Sequence, residues 1–173
     1  MKMKTFTLAA FFLLTTPFVH AVDATPYVYR TVAEQPKNVN DQEIAALFDR
    51  WNTTLKSGSA SAMTGLYAPD AVLQPTLSNK VRTTPAQIQD YFDHFLVGKP
   101  VGQINYREIR HMGPDAAMDS GVYTFTLTNA DGSKRDVQAR YTFLYERLDG
   151  QWKIINHHSS AMPEVPKALH ASH

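Results

Sequence analysis

Residues 136–160, DVQARYTFLYERLDGQWKIINHHSS, read as two strands folded back on one another at Asp149-Gly150. Aspartate–glycine is favoured at such a point because a tight hairpin turn needs positive φ. The strand before the turn, Asp136 to Arg147, alternates in character. Tyr141, Phe143 and Tyr145 fall on one side, with Gln138, Arg140, Thr142, Leu144 and Glu146 on the other. The strand after it, Gln151 to Ser160, sends His157 and Ser159 to one face and His158 and Ser160 to the other. The two histidines therefore cannot share a metal ion unless a bulge intervenes between them, and no metal site is expected.

Outward from this hairpin, Asp131-Gly132 marks a second turn, and Ala116 to Thr128 reads as a long strand. Asp119, Tyr123, Phe125 and Leu127 lie on one side of it. Gly113-Pro114-Asp115 is a further turn, preceded by a strand from Gln103 to His111. Upstream of residue 100 the period becomes helical. Asn40 and Glu43 are spaced like a capping box, and Ile44, Leu47, Phe48, Trp51 and Leu55 then form one apolar stripe that ends at Ser57-Gly58. A shorter helix is expected over Ser61 to Tyr67, with Met63, Leu66 and Tyr67 inward. Pro69-Asp70 should break it before a short strand, Ala71 to Gln74. Leu77 to Thr83 is a polar connection containing Arg82. Thr84-Pro85-Ala86-Gln87 starts another helix, with Ile88, Tyr91, Phe92 and Phe95 buried and Gly98 and Pro100 at its end.

Helices first and antiparallel strands after give an α+β layout: N-terminal helices packed on a curved antiparallel sheet, forming a cone with a pocket. Neither sheet face is wholly polar. One face should be covered by the helices and the other by a second subunit.

The chain of 173 residues has no cysteine, 43% hydrophobic residues and a formal charge of +1. These values fit one packed domain and exclude a disulfide scaffold, a thiol nucleophile and a thiolate zinc site. The weak charge argues against nucleic acid as a partner. Lys2 and Lys4, the apolar run from Phe6 to Phe18, and Val19-His20-Ala21 have the layout of a secretory signal peptide. The expected organisation is a signal peptide over 1–21, an extended leader over 22–40, the folded domain over 41–164 and a flexible tail over 165–173. Cleavage after Ala21 would leave a periplasmic or secreted protein with no membrane attachment. His170 and His173 fall in the tail and are read as solvated.

For chemistry, the candidate acid–base groups are Asp70, Asp90, Asp119 and His157. Asp70 reads as a turn residue and Asp90 as exposed, which leaves Asp119 and His157 as the catalytic candidates. A ligand site would draw on Trp51, Tyr67, Tyr91, Tyr123, Tyr141 and Phe143 as walls, with His157 and Ser159 as polar anchors. The same aromatic row is also what a plain core would contain. His158 reads as a structural histidine at a subunit contact. No phosphate loop, nucleophile elbow or helical metal-ligand pair occurs, and no cofactor is expected.

The segment DGQWKIINHHSSAMP, Asp149 to Pro163, resembles the last strand of the calcium/calmodulin-dependent kinase II association domain and its stand-alone bacterial relatives. The resemblance extends back through ARYTFLYERLDG and GPDAAMDSGVYTFTL to the tryptophan-bearing first helix. It covers roughly Asp41 to Pro163. That family lies in the nuclear transport factor 2-like superfamily, with the SnoaL-like cyclases and ketosteroid isomerases. The resemblance implies a cone-shaped α+β fold with a pocket, and homodimers or larger rings built through the sheet. No kinase domain is present, so kinase activity is not implied. The pocket arginines of the kinase's association domain have their places taken here by Tyr123, Phe143 and Ser159, so an identical acidic-ligand pocket is not expected. Two functions follow as expectations: a small-molecule-binding, self-assembling domain, or a SnoaL-like enzyme using His157 as general base for proton transfer, with Tyr123 or Tyr141 polarising a carbonyl.

Overall fold

The computed structural model describes residues 27–76 and 78–163. The expected signal peptide and cleavage site, and the expected tail with His170 and His173, lie outside the described residues. The elements run α1 (Val39–Lys56), α2 (Ala60–Thr64), β1 (Tyr67–Gln74), α3 (Pro85–Phe95), a 3-10 turn (Leu96–Gly98), β2 (Val101–His111), β3 (Ala116–Thr128), β4 (Lys134–Leu148) and β5 (Gln151–Ala161). Five strands form one curled, unclosed sheet in the order β1-β5-β4-β3-β2. β2 to β5 are mutually antiparallel, and β1 runs parallel to β5 at the edge, so the sheet is mixed.

Helix α1 begins earlier than the Asn40–Glu43 spacing suggests. Asn38 is its cap, and the Asn38 side chain accepts from Asp41 N at 2.8 Å. The same three-residue logic operates two positions upstream. Glu43 is taken instead by Arg147 Nη2 and Trp152 Nε1, both at 2.9 Å, which tie the helix to the β4–β5 hairpin. Helix α3 starts as expected, with Thr84 capping Gln87 N and Pro85 at the first helical position.

Helix α2 is shorter than expected, and Tyr67 opens β1 instead of closing the helix. Pro69 and Asp70 do not stop the chain: both are exposed inside β1, where the pairing with β5 shifts register. An edge strand tolerates proline because one side of it has no ladder to feed. The loop that follows folds back on β1, with Leu73 and Arg82 exchanging two backbone hydrogen bonds of 2.8 and 2.9 Å.

Two bulges set which side chains face inward. In β2 the register slips between Ile104 and Tyr106, leaving Asn105 as the extra residue. In β5 it slips opposite Leu144 and Tyr145, leaving Ile155 unpaired. Each bulge inverts the alternation downstream of it. Opposite the first bulge, a Cβ on Gly121 would lie 1.9 Å from Tyr106 O, so only glycine admits this close approach. At Asp149-Gly150 both residues have positive φ, 50° and 75°, giving the type I′ hairpin turn.

The core lies between α1, α3 and the concave sheet face. Ile44, Phe48, Trp51 and Leu55 of α1 and Ile88 and Phe92 of α3 are buried there against Tyr123, Tyr141, Phe143 and Tyr145. Residues 29–33 run over β2–β4: Gln138 Nε2 donates to Tyr29 O at 2.9 Å, and Asn105 Nδ2 donates to Thr31 O at 3.0 Å. Ala33 N then donates to Ile104 O at 2.9 Å. Part of the convex face is thus covered by the chain's own leader.

Candidate functional site

A cavity of about 400 Å³ opens between α1, α3, the connection that carries Thr76, Ser78 and Arg82, and the inner sheet face. Trp51, Tyr91, Tyr123, His157 and Ser159 of the expected ligand residues line it. Tyr67, Tyr141 and Phe143 do not. Tyr67 lies beneath the lining and donates to His157, while Phe143 is fully buried and stacks under the His157 ring at 4.0 Å. Tyr141 lies deeper, stacked on Tyr123 at 4.9 Å and facing Asp119. Simple alternation puts Tyr141 and Phe143 on one face of β4 correctly. It does not show that the curl of the sheet seats some of them under α1.

His157 and Ser159 reach the inner face because the bulge at Ile155 lies upstream of both, and Ile154 faces inward as well. Trp51 Nε1 can only donate, and it does so to Tyr67 Oη at 3.2 Å. Tyr67 then gives its own proton to His157 Nδ1, 2.9 Å away, the arrangement that leaves the fewest polar groups unpaired, since a second acceptance from Nδ1–H would strand the Tyr67 proton. That leaves the imidazole proton on Nε2, which has no hydrogen-bond partner among the described residues. Burial, with a smaller contribution from His158, lowers the His157 pKa to about 3. The imidazole is therefore neutral near pH 7. Burial likewise raises the Tyr67 and Tyr123 hydroxyls above their ordinary range. Tyr123 Oη donates to Ser159 Oγ at 2.5 Å, and Ser159 shares a further hydrogen bond with Thr76.

The cavity also takes in Arg82 and Asp90, which alternation and helical period alone do not bring together. The backbone pairing with Leu73 carries Arg82 across to α3, where its Nη2 lies 3.6 Å from the Asp90 carboxylate. The Arg82 side chain is only 10% exposed, against 52% for Asp90. Arg82 Nε has no partner among the described residues.

Asp119 does not line this cavity. It is fully buried, accepts from Tyr141 Oη at 2.8 Å and pairs with Arg107 Nε at 3.1 Å. The Arg107 guanidinium also sits 5.7 Å from the centre of the Phe48 ring. Burial raises the Asp119 pKa to about 6, against the opposing pull of Arg107 and the Tyr141 hydrogen bond. Burial also disfavours charge on Arg107, but Asp119 and Tyr141 outweigh it and hold the guanidinium protonated. Arg107 is missing from the sequence reading because, without the Asn105 bulge, alternation sends it to the convex side. Of the other candidates, Asp70 is exposed on β1, while Arg140 lies on the convex face, where it donates to Ser160 Oγ at 3.2 Å.

The model of the calcium/calmodulin dependent protein kinase II association domain matches residues 40–163. The chain belongs to the calcium/calmodulin dependent protein kinase II association-domain family. A Xanthomonas campestris protein described as such a domain is 56% identical, with a TM-score of 0.79 over 80% of this chain and 99% of its own. The association domain of the C. elegans kinase shares the fold at 15% identity, TM-score 0.60, over 70% of this chain and 95% of that one. A nuclear transport factor 2-like protein with a cystatin-like fold, from Novosphingobium aromaticivorans, aligns at 14% identity and TM-score 0.60, over 72% and 82% of the two chains. Association-domain architecture and the α+β, cystatin-like fold thus agree with the sequence reading.

Proposed function

We propose that this association-domain protein is an exported, self-assembling module that binds a small, partly apolar molecule and has no kinase activity. The observation that carries this reading is the cavity of about 400 Å³, walled by aromatic rings and holding a few polar groups. Its volume and composition are those of an ordinary small-molecule site. Export rests on the basic start, apolar run and small-residue site at Ala21. Self-assembly rests on family membership and on the half-buried Thr142 and Leu144 of the convex face.

The alternative reading, proton transfer with His157 as general base, is not favoured by the site's own chemistry. The Nδ1 lone pair of His157 is already occupied by the Tyr67 proton. A base with a pKa near 3 is also far from the working range of such catalysis.

Differential scanning fluorimetry against a small-molecule library tests the binding reading. A ligand present at about 100 times its dissociation constant stabilises by about 2.7 kcal/mol. Failure of every compound, together with a crystal structure whose cavity is filled by side chains, would overturn it. N-terminal sequencing of protein from the producing cell tests export, and Met1 on the mature chain would refute it.

A further inference from the structure

Hydrogen-bond accounting around the cavity narrows what can occupy it. Three of the lining hydroxyls satisfy one another, since Tyr123 donates to Ser159 and Ser159 is shared with Thr76. Among the described residues, two buried side-chain atoms of the cavity lining find no partner, His157 Nε2 and Arg82 Nε. Both are N–H donors. The first carries its proton because Trp51 and Tyr67 together fill Nδ1; a guanidinium nitrogen is always a donor. Leaving a buried donor unpaired costs its full desolvation, so an acceptor placed in the cavity gains more than an ordinary hydrogen bond would.

The charge balance decides the rest. Arg82 is already faced by Asp90, and His157 is neutral. The pair leaves no uncompensated positive charge for a buried carboxylate, whose desolvation would go unpaid. A ligand ammonium would meet N–H groups at both of these positions, and the one carboxylate among the cavity's described lining residues, Asp90, is already faced by Arg82. Resting on the small-molecule reading above, we infer that the cavity's occupant is a neutral, largely aromatic molecule presenting an acceptor oxygen of the carbonyl type to His157 Nε2–H, with Arg82 Nε–H as the second donor.

Four probes on one scaffold test this: naphthyl methyl ketone, methylnaphthalene, naphthoate and naphthylmethylamine, titrated by isothermal calorimetry into the full protein. The ketone is expected to bind roughly tenfold more tightly than the hydrocarbon, with the carboxylate and the amine both weaker than the ketone. His157→Phe should abolish the gap between ketone and hydrocarbon while still binding both. Should that variant fail to fold, nitrogen-15 imidazole NMR on the unaltered protein gives the same answer. The free protein should show His157 protonated at Nε2, and its N–H signal should move with the ketone and not with the hydrocarbon. Protonation at Nδ1 instead, or a signal indifferent to the ketone, overturns the inference. Equal affinity for ketone and hydrocarbon, or tightest binding of the carboxylate or the amine, also overturns it and leaves the small-molecule reading standing. Binding of none of the four overturns both.

Discussion

Two buried residues give the protein opposite responses to acid. His157 has an ordinary value of 6.5 and is lowered by burial to about 3 in the fold. Between those values the unfolded chain takes up a proton that the folded chain refuses, so stability falls as pH drops from 6.5 toward 3. Asp119 is raised by burial from 3.8 to about 6. As pH drops through 6 the folded chain takes up its proton first, so this group adds stability down to about pH 4. His157 has the larger displacement, worth up to about 5 kcal/mol, and should dominate. His157→Gln is therefore expected to flatten the acid side of the urea-denaturation profile relative to the parent. A variant that keeps the parent's steep loss between pH 6.5 and 4 would show that the acid sensitivity arises elsewhere. Asp119→Asn leaves Arg107 charged, buried and facing an amide. It should cost about 3–5 kcal/mol at pH 7 and less at pH 5, where the native carboxyl is already largely protonated. Paired denaturation curves at the two pH values check the difference.

At the level of the element, legibility follows how local the physics is. The β3 bounds, the α3 cap at Thr84 and the Asp149-Gly150 turn depend on neighbours a few residues apart and could be read from the chain. Face assignments in β3 and β4 held because no bulge interrupts their alternation. Arg107 was not legible, because a bulge is decided by the partner strand. Its trace in the sequence is Gly121, the one residue type that lets β2 come so close. The Arg82–Asp90 pair was hidden for a similar reason: it depends on a loop doubling back on β1. The cap moved from Asn40 to Asn38 because Glu43 has a stronger claim on it from Arg147 and Trp152. Gly121→Ala tests the bulge argument directly. The added carbon would sit 1.9 Å from Tyr106 O, a backbone atom that cannot rotate away. Destabilisation of about 3 kcal/mol or more is expected, with loss of the Arg107–Asp119 geometry. A loss below about 1 kcal/mol, the ordinary level for a point mutant, would mean that the strands separate there at little cost.

For the whole molecule, the sheet's two faces have different fates. The concave face is filled by α1 and α3 and keeps the cavity between them. The convex face is divided: the leader crosses it over Asn105, Thr124 and Gln138, where Gln138 and Asn105 hold the carbonyls of Tyr29 and Thr31. Arg140 stays exposed, and Thr142 and Leu144 only half-buried. An apolar residue flanked by small polar ones on an open sheet face is suited to a second copy of the same chain, and family membership supports that occupant. Light scattering on the eluting protein should therefore give a mass of at least two chains. Leu144→Glu places a carboxylate on that face without touching the cavity or the α1 contacts. It should return the protein to a single chain while leaving the far-ultraviolet spectrum unchanged. A chain that begins at Asn38 lacks the leader and should still assemble, with a lower melting temperature from the lost Asn105 and Gln138 contacts. If that shortened chain becomes monomeric while the Leu144 variant does not, the leader itself is the contact between copies, and the open part of the sheet has no role in assembly.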